Sequence, residues 1–408
     1  MRAWSELMPN RLVAQALVVA LCLLVAGAAR AVDNANASVN EGEVRFYNKA
    51  DSPFDIYSRN PNREARAWMQ ANYIRMQVYS PYFDKRLRWF PDAWVYKDIY
   101  AIKPAWDIYK EHPEWILRDK NGKKLYIPWG CKRGSCPQFA GDPGNEAFRA
   151  RWIEQARALL DKGYRGIWVD DVNLAWRVGD GNGKHVKPID PRTGKAMTLG
   201  DWQRYFAEFV EAIRAAFPDA EIAHNAIWYT DDDFDNPYVL RQIDAADYFN
   251  LERGATDRGL KGGTGRYSFK TFLGFIDLVH SRDRQVIMMD YGKAETDREF
   301  GLASWFLINN GGDLMNSSKL AWSAPDSFWR GYQLDLGPAL GPRDEWRGLL
   351  RRRFRCGQVL VNEPDAPNVR LSMPGDLRRV DGKKAGTLKL DGREAAILLE
   401  PCAEFGAQ

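Results

Sequence analysis

Gly166-Ile167-Trp168-Val169-Asp170-Asp171-Val172-Asn173 decides the reading of this chain. An apolar run led by glycine stops at two carboxylates and an amide. A short apolar run between turn signals reads as a buried strand. Acids are rarely buried unless paired, so a strand that ends in acids ends where they can be solvated or used. Two later runs end alike: Tyr248-Phe249-Asn250-Leu251 meets Glu252, and Val286-Ile287-Met288-Met289 meets Asp290. Acids at several strand ends point to a barrel whose C-terminal face does carboxylate chemistry.

Outward from that stretch, strands alternate with helices. Strands are expected at Val44 to Tyr47, Tyr73 to Tyr79, Ala93 to Tyr96, Gly166 to Asp170, Glu221 to Asn225, Tyr248 to Glu252, Gln285 to Asp290 and Asp313 to Met315. Helices are expected over 145–162, 199–217 and 268–281, where apolar residues recur on one face; Gly163 and Pro218 stop the first two. Eight strands alternating with helices fit an α/β fold, a (β/α)8 TIM barrel, over residues 44–353. An open doubly wound sheet would carry a Gly-rich phosphate loop after its first strand, and none is present. Two long connections, Lys97 to Ala147 and Leu174 to Thr198, are expected to be lids or cleft walls. From Phe354 the texture changes to short alternating runs separated by Pro374-Gly375, Asp381-Gly382 and Asp391-Gly392, so residues 354–408 read as a small antiparallel β domain.

The chain has 408 residues, 45% hydrophobic and 27% charged, an ordinary globular composition. Its formal net charge is +4, about half of it in the first 31 residues, which argues against a nucleic-acid partner. Residues 1–31 read as an export signal. Arg2 and Arg11 precede an apolar run of about 16 residues, short of the roughly 20 that span a bilayer, and Ala29-Arg30-Ala31 offers a cleavage site. Residues 32–43 read as a flexible leader. The mature chain is then exported, to the periplasm or beyond, with no membrane segment. Nothing in the sequence sets an oligomeric state.

Removing the signal leaves Cys131, Cys136, Cys356 and Cys402. An even count in an exported chain suggests disulfides, one closing a tight loop from Cys131 to Cys136 and one tying Cys356 to Cys402. Zinc is the rival, but His112, His185, His224 and His280 show no ligand spacing. The run Asp231-Asp232-Asp233-Phe234-Asp235 lacks the glycine and terminal glutamate of a calcium loop and reads as a solvated face. No cofactor or metal is expected.

Cleaving a glycosidic bond takes two carboxyl groups: one protonates the leaving oxygen, the other attacks the anomeric carbon or activates water. Side chains alternate along a strand, so Asp170 and Asp171 face differently. Asp170 is the first choice for nucleophile or base, with Asp171 as the alternative, and Glu252 is the choice for acid. Asp290 and Asn225, at neighbouring strand ends, are candidates to bind sugar hydroxyls. Aromatic residues make up 13% of the chain, with 16 tryptophans. Tyr79, Trp129, Trp176, Trp228, Tyr291 and Trp322 fall at strand ends or in loops where a ring could stack on a sugar, although core packing is the plainer reading of any one of them. Two rival readings use the same residues: a non-catalytic carbohydrate-binding barrel, and a metal-dependent hydrolase with Asp170, Asp171 and Asp290 as oxygen ligands.

The chain resembles the glycoside-hydrolase-like barrels related to the α-amylase and α-galactosidase superfamilies. The resemblance runs over about residues 44 to 400. Its sharper pieces are His112-Pro113-Glu114-Trp115-Ile116-Leu117 with Asp119 to Gly122, then Gly141-Asp142-Pro143-Gly144-Asn145, then Gly163 to Asp171. It implies that the fourth-strand terminal aspartate, Asp170, is the nucleophile, that Glu252 on the sixth strand is the acid, and that the C-terminal domain is a Greek-key β domain. The fifth strand ends in His224-Asn225 with no carboxylate, a departure from the amylase pattern. The resemblance also implies a poly- or oligosaccharide substrate, α-linked or a secreted bacterial polymer, and retention of configuration.

Overall fold

The computed structural model describes residues 40–49, 61–226, 234–292, 294–317 and 329–405. The residues expected to form an export signal and most of the expected leader, along with Asp231 to Asp233, Trp228 and Trp322, lie outside the described residues. The chain divides at Asn40, and Glu41 to Gln408 form one compact unit.

Eight parallel strands close a barrel in sequence order, as expected. They are β1 (Phe46–Lys49), β2 (Tyr73–Val78), β3 (Ala93–Asp98), β4 (Gly166–Asp170), β5 (Glu221–Ala226), β6 (Tyr248–Arg253), β7 (Gln285–Asp290) and β8 (Leu314–Ser317). The first begins two residues later than the apolar pattern suggests, because the Val44 N–H bonds Leu334 O outside the barrel. The longer helices between strands are α1 (Arg63–Asn72), α2 (Glu146–Leu160), α3 (Leu199–Ala216), α4 (Pro237–Asp244), α5 (Phe269–Ser281) and α6 (Glu295–Ile308), with a short turn of α-helix at Asp107–Glu111. The starts of α1 to α5 are capped by side chains, which accept from backbone N–H groups that have no partner within the helix. Asn145 accepts from Phe148 N on α2, Ser268 from Thr271 N on α5, and Thr198 and Asp201 form a reciprocal capping box on α3.

Strand side chains alternate between lumen and helix layer. Tyr47, Trp94, Trp168, Ala223, Ile287 and Leu314 fill the lumen, while the residues flanking them join the larger core under the helices. The large rings form a plug, so the barrel is a packed core and not a pore. Gly166 opens β4 against β5, where a Cβ would overlap the Glu221 carbonyl oxygen.

After the barrel comes a four-stranded antiparallel sheet in the order β9 (Asp344–Trp346), β10 (Leu349–Phe354), β11 (Gly357–Val361), β14 (Ala395–Leu399). Its first two strands precede the change of texture read at Phe354. A separate pair, β12 (Val369–Ser372) with β13 (Thr387–Leu390), is inserted before the last strand. The sheet packs on α6. Glu299 of that helix accepts from Ile397 N at 3.0 Å and from Arg379 at 2.9 Å, and Arg352 donates to the Phe306 and Asn309 carbonyls at the helix's C-terminal end. Covered by barrel and sheet, α6 is buried continuously from Glu299 to Ile308. A helix buried all round has no polar stripe, and so no amphipathic period for a sequence to display.

The disulfides join Cys131 to Cys136 and Cys356 to Cys402. The two long connections interlock beside the barrel mouth. Tyr126 bridges Gly179, Arg118 bridges Ile189, and the Lys123 ammonium donates to Asp180 O at 3.2 Å.

Candidate active site

The lumen columns lead directly to the C-terminal mouth. Two residues beyond Trp168 stands Asp170; two and four beyond Trp94 stand Tyr96 and Asp98; two beyond Ala223 stands Asn225; two and four beyond Tyr248 stand Asn250 and Glu252. Parallel register places Asp98 opposite Asp170 and Asn225 opposite Asn250. Period-two alternation therefore gathers side chains from four consecutive strands on one spot.

Asp170 is held by three donors. Tyr96 Oη donates to Oδ2 at 2.6 Å, while Asn225 Nδ2 at 2.6 Å and the Asp171 backbone N–H at 2.9 Å donate to Oδ1. Asn225 Nδ2 also lies 3.5 Å from Glu252 Oε2, at the limit of a hydrogen bond. One nitrogen thus bridges both carboxylates, so the two oxygens are at most about 6 Å apart. The Asn225 carbonyl end is taken by Asn250 Nδ2 at 2.6 Å, which fixes the amide's orientation. The other Glu252 oxygen accepts from Tyr291 Oη at 3.0 Å.

Asp171 turns away from the lumen. Its φ is 59°, in the left-handed region, and its carboxylate pairs with Arg177 Nε at 2.9 Å and accepts from Asn173 at 3.0 Å. Burial pushes its pKa up to about 7, the nearby Asp170 charge adds to this, and Arg177 opposes it. Burial, then Asp171 and Asp170, hold the Asp98 carboxyl well above the usual carboxylate range, although Oδ1 accepts from the Tyr100 and Ala101 N–H groups. Burial alone would lower the Arg177 pKa, but Asp171, Tyr100, Glu252 and Asp170 outweigh it and raise it. The Tyr96 hydroxyl is raised too, by burial and then by Asp170. Oxygens of Asp98, Asp170 and Asp171 lie within 4.8 Å of one another, close enough to share a cation. N–H and O–H donors of the protein already occupy most of these oxygens.

Asp290 is not part of this cluster, which corrects its expected place among sugar-binding groups and metal ligands. It follows Val286 and Met288 on the helix-facing side of β7 and is 1% exposed. It accepts from Thr256 N and Oγ1, both at 3.2 Å, and Thr256 Oγ1 in turn accepts from Tyr291 N at 2.8 Å. Burial pushes the Asp290 pKa up to about 7. Its role is beneath the site: it ties the turn after Glu252 to the residue that carries the Tyr291 hydroxyl.

The aromatic candidates divide. Tyr79 packs against Tyr96 with ring centroids 4.6 Å apart, beside Asp170. Tyr291 contacts Glu252 and is 40% exposed. Trp129, 59% exposed, stands on the wall made by the long connections. Trp176 is half-buried against Trp202 of α3, centroids 5.3 Å apart, which is packing. Sequence reasoning missed Tyr96, Asp98, Asn250 and Arg177. The first three could have been found by counting in twos from Trp94 and back from Glu252. Arg177 sits in a long connection with no period to count.

Residues 95–358 match the family described as Hypothetical glycosyl hydrolase family 15. The chain belongs to this family. The expected glycoside hydrolase is met at that level, and its substrates as a class are carbohydrates. No curated protein matches the chain. Among solved structures it is similar to the glycoside hydrolase domain of PelA from Pseudomonas aeruginosa, with 14% identity and a TM-score of 0.42, covering 69% of this chain and 96% of that one. It is also similar to the maltogenic α-amylase AmyB from Thermotoga neapolitana, with 11% identity and a TM-score of 0.49, covering 90% and 99%. An α-galactosidase, AgaA from Geobacillus stearothermophilus, shows 10% identity and a TM-score of 0.46, covering 88% of this chain and 56% of that one.

Proposed function

We propose that this glycoside hydrolase is exported and cleaves a poly- or oligosaccharide with Asp170 as nucleophile and Glu252 as acid and base, retaining configuration. The observation that carries the reading is the single Asn225 nitrogen shared by the two carboxylates. The shared nitrogen keeps the facing oxygens, Asp170 Oδ1 and Glu252 Oε2, within about 6 Å, as a hydrolytic carboxyl pair requires; retention follows the family resemblance.

Roles follow from the contacts. Asp170, fixed by three donors, attacks the anomeric carbon. Glu252 Oε2, with only the long contact, is open to the glycosidic oxygen and gives it a proton. The bond to the leaving sugar breaks as the Asp170–glycosyl ester forms. Glu252 then takes a proton from water as the water oxygen bonds the anomeric carbon and the ester bond to Asp170 breaks, which releases the sugar and restores both groups. Asp171, paired with Arg177, supports the mouth instead of reacting. The carbohydrate-binding reading calls for carboxyls more than about 12 Å apart, beyond either hydrolytic geometry, and the metal reading loses Asp290 as a ligand. Export is supported by the signal-like start and two disulfides; among the described residues no helix is long and apolar enough to cross a membrane.

The test is reducing-end release by residues 32–408 from a panel of bacterial exopolysaccharides, beside Asp170→Asn and Glu252→Gln. Both variants should fold and lose at least about a thousandfold in kcat, and NMR of the first-formed product should show the substrate's own anomer. Full activity in either variant would overturn the assignment, and the opposite anomer would make Asp170 a base.

A further inference from the structure

A cavity of about 540 Å³ opens beside Glu252, lined by Arg253, Thr256, Asp257, Arg258, Tyr291, Gly292 and Asp297. That volume lies within the usual range of small-ligand sites and takes a short run of sugar units. The two Glu252 oxygens face different neighbours: Oε2 is nearest Asn225 and Oε1 accepts from Tyr291, which lines the cavity. The cavity therefore lies on the acid's side of the site, where the leaving sugar must sit.

Charge in the lining is mostly spoken for. Arg258 pairs with Asp297 at 3.0 Å, and Asp297 also accepts from Ala294 N. Asp257 Oδ1 accepts from Gly259 N at 2.8 Å, and its carbonyl oxygen from Arg393. Arg253 is the lining guanidinium without an ion pair among the described residues. Its backbone is unusual as well. Arg253 ends β6 exposed, with φ at 71° in the left-handed region, and it lines the cavity. A long charged residue seldom holds that conformation, which favours glycine.

We propose that this cavity is a leaving-side subsite for an acidic sugar, a hexuronate whose carboxylate pairs with Arg253. A planar guanidinium fork matches a carboxylate with two parallel N–H···O bonds, a match that lysine cannot make. The inference deepens the two-carboxylate reading above and rests on it for the position of the leaving sugar.

The test is calorimetric binding to the full mature chain carrying Glu252→Gln, with oligomers of galacturonic and of glucuronic acid beside neutral galactose and glucose oligomers of equal length. At least one acidic series should bind at least about tenfold tighter than its neutral partner. Adding Arg253→Ala should remove that advantage and leave neutral binding unchanged, and Arg253→Lys should restore only part of it. Arg253→Gly removes the same guanidinium at a conformation glycine accepts, so it should lose the same affinity with no fall in melting temperature. Equal binding of acidic and neutral oligomers, no binding of any acidic oligomer, or acidic binding untouched by Arg253→Gly would overturn the proposal. The two readings fail separately. A neutral glycan cut by the native protein, with unchanged KM in Arg253→Gly, sinks the subsite and leaves the carboxylate pair standing. Arg253-dependent binding without hydrolysis of any bound acidic oligomer keeps the subsite and sinks the pair.

Discussion

Asn225 Nδ2 donates to Asp170 Oδ1 over 2.6 Å, from one barrel strand to the next. The contact depends on a third strand, because Asn250 Nδ2 holds the Asn225 carbonyl oxygen at 2.6 Å and so dictates which end of the amide faces the acids. Replacing Asn250 by alanine frees the Asn225 amide to turn. We expect kcat to fall about ten- to a hundredfold with little change in KM, since a misplaced donor near a reacting group costs orientation. An unchanged kcat would mean that Asn225 holds its orientation without help.

Tyr96→Phe deletes one donor to Asp170 and leaves the ring against Tyr79. Hydrogen bonds to charged groups are worth about 1.5–3 kcal/mol, so a fall of roughly ten- to a hundredfold in kcat is expected. A rise in KM with kcat intact would instead place Tyr96 in substrate binding.

Activity should fall as pH rises through about 7. Asp171, with its pKa pushed up to about 7, is neutral below that point and carries charge above it. The added charge lies close to Asp170, within the 4.8 Å cluster that includes Asp98. Asp171→Asn removes the titration and should flatten the alkaline limb of kcat/KM near pH 7. A limb unmoved by this variant would belong to another group.

Asp290 makes a separate prediction, about stability. Its folded pKa of about 7 lies above the ordinary value near 3.8, so between those limits the folded protein binds the proton more tightly than the unfolded chain. Stability contributed by Asp290 is then full below about pH 4 and declines up to about pH 7, by at most about 1.4 kcal/mol per pH unit. Asp290→Asn mimics the neutral acid and should remove that decline, while keeping an oxygen for Thr256. Denaturant unfolding of both forms from pH 4 to 7 measures it, and parallel curves would show that Asp290 does not titrate in this range.

Much of this was readable from residues alone. Apolar runs ending in acids, and helices with one apolar face, named all eight barrel strands and three helices, because burial on a known period leaves a mark in sequence. Alternation told that Asp170 and Asp171 face different ways, but not which of them faces inward. Alternation also carried the warning about Asp290, since it follows Met288 and not Met289 in phase, but a strand buried on both faces shows no polar side against which to set that phase. The α6 helix was hidden for the related reason that the C-terminal sheet covers the face a surface helix would expose.

From the order of residues come the alternation of strands and helices, the carboxylates at several strand ends, and the four cysteines after residue 31. Which of those carboxylates meet is set by the packed barrel. Barrel closure and parallel register bring Asp98, Asp170, Asn225 and Glu252 together from positions up to 154 residues apart. The same closure buries Asp290 behind its strand. Each of those outcomes depends on strand neighbours far away in the chain, and no local pattern of residues can encode what a distant strand will place beside it.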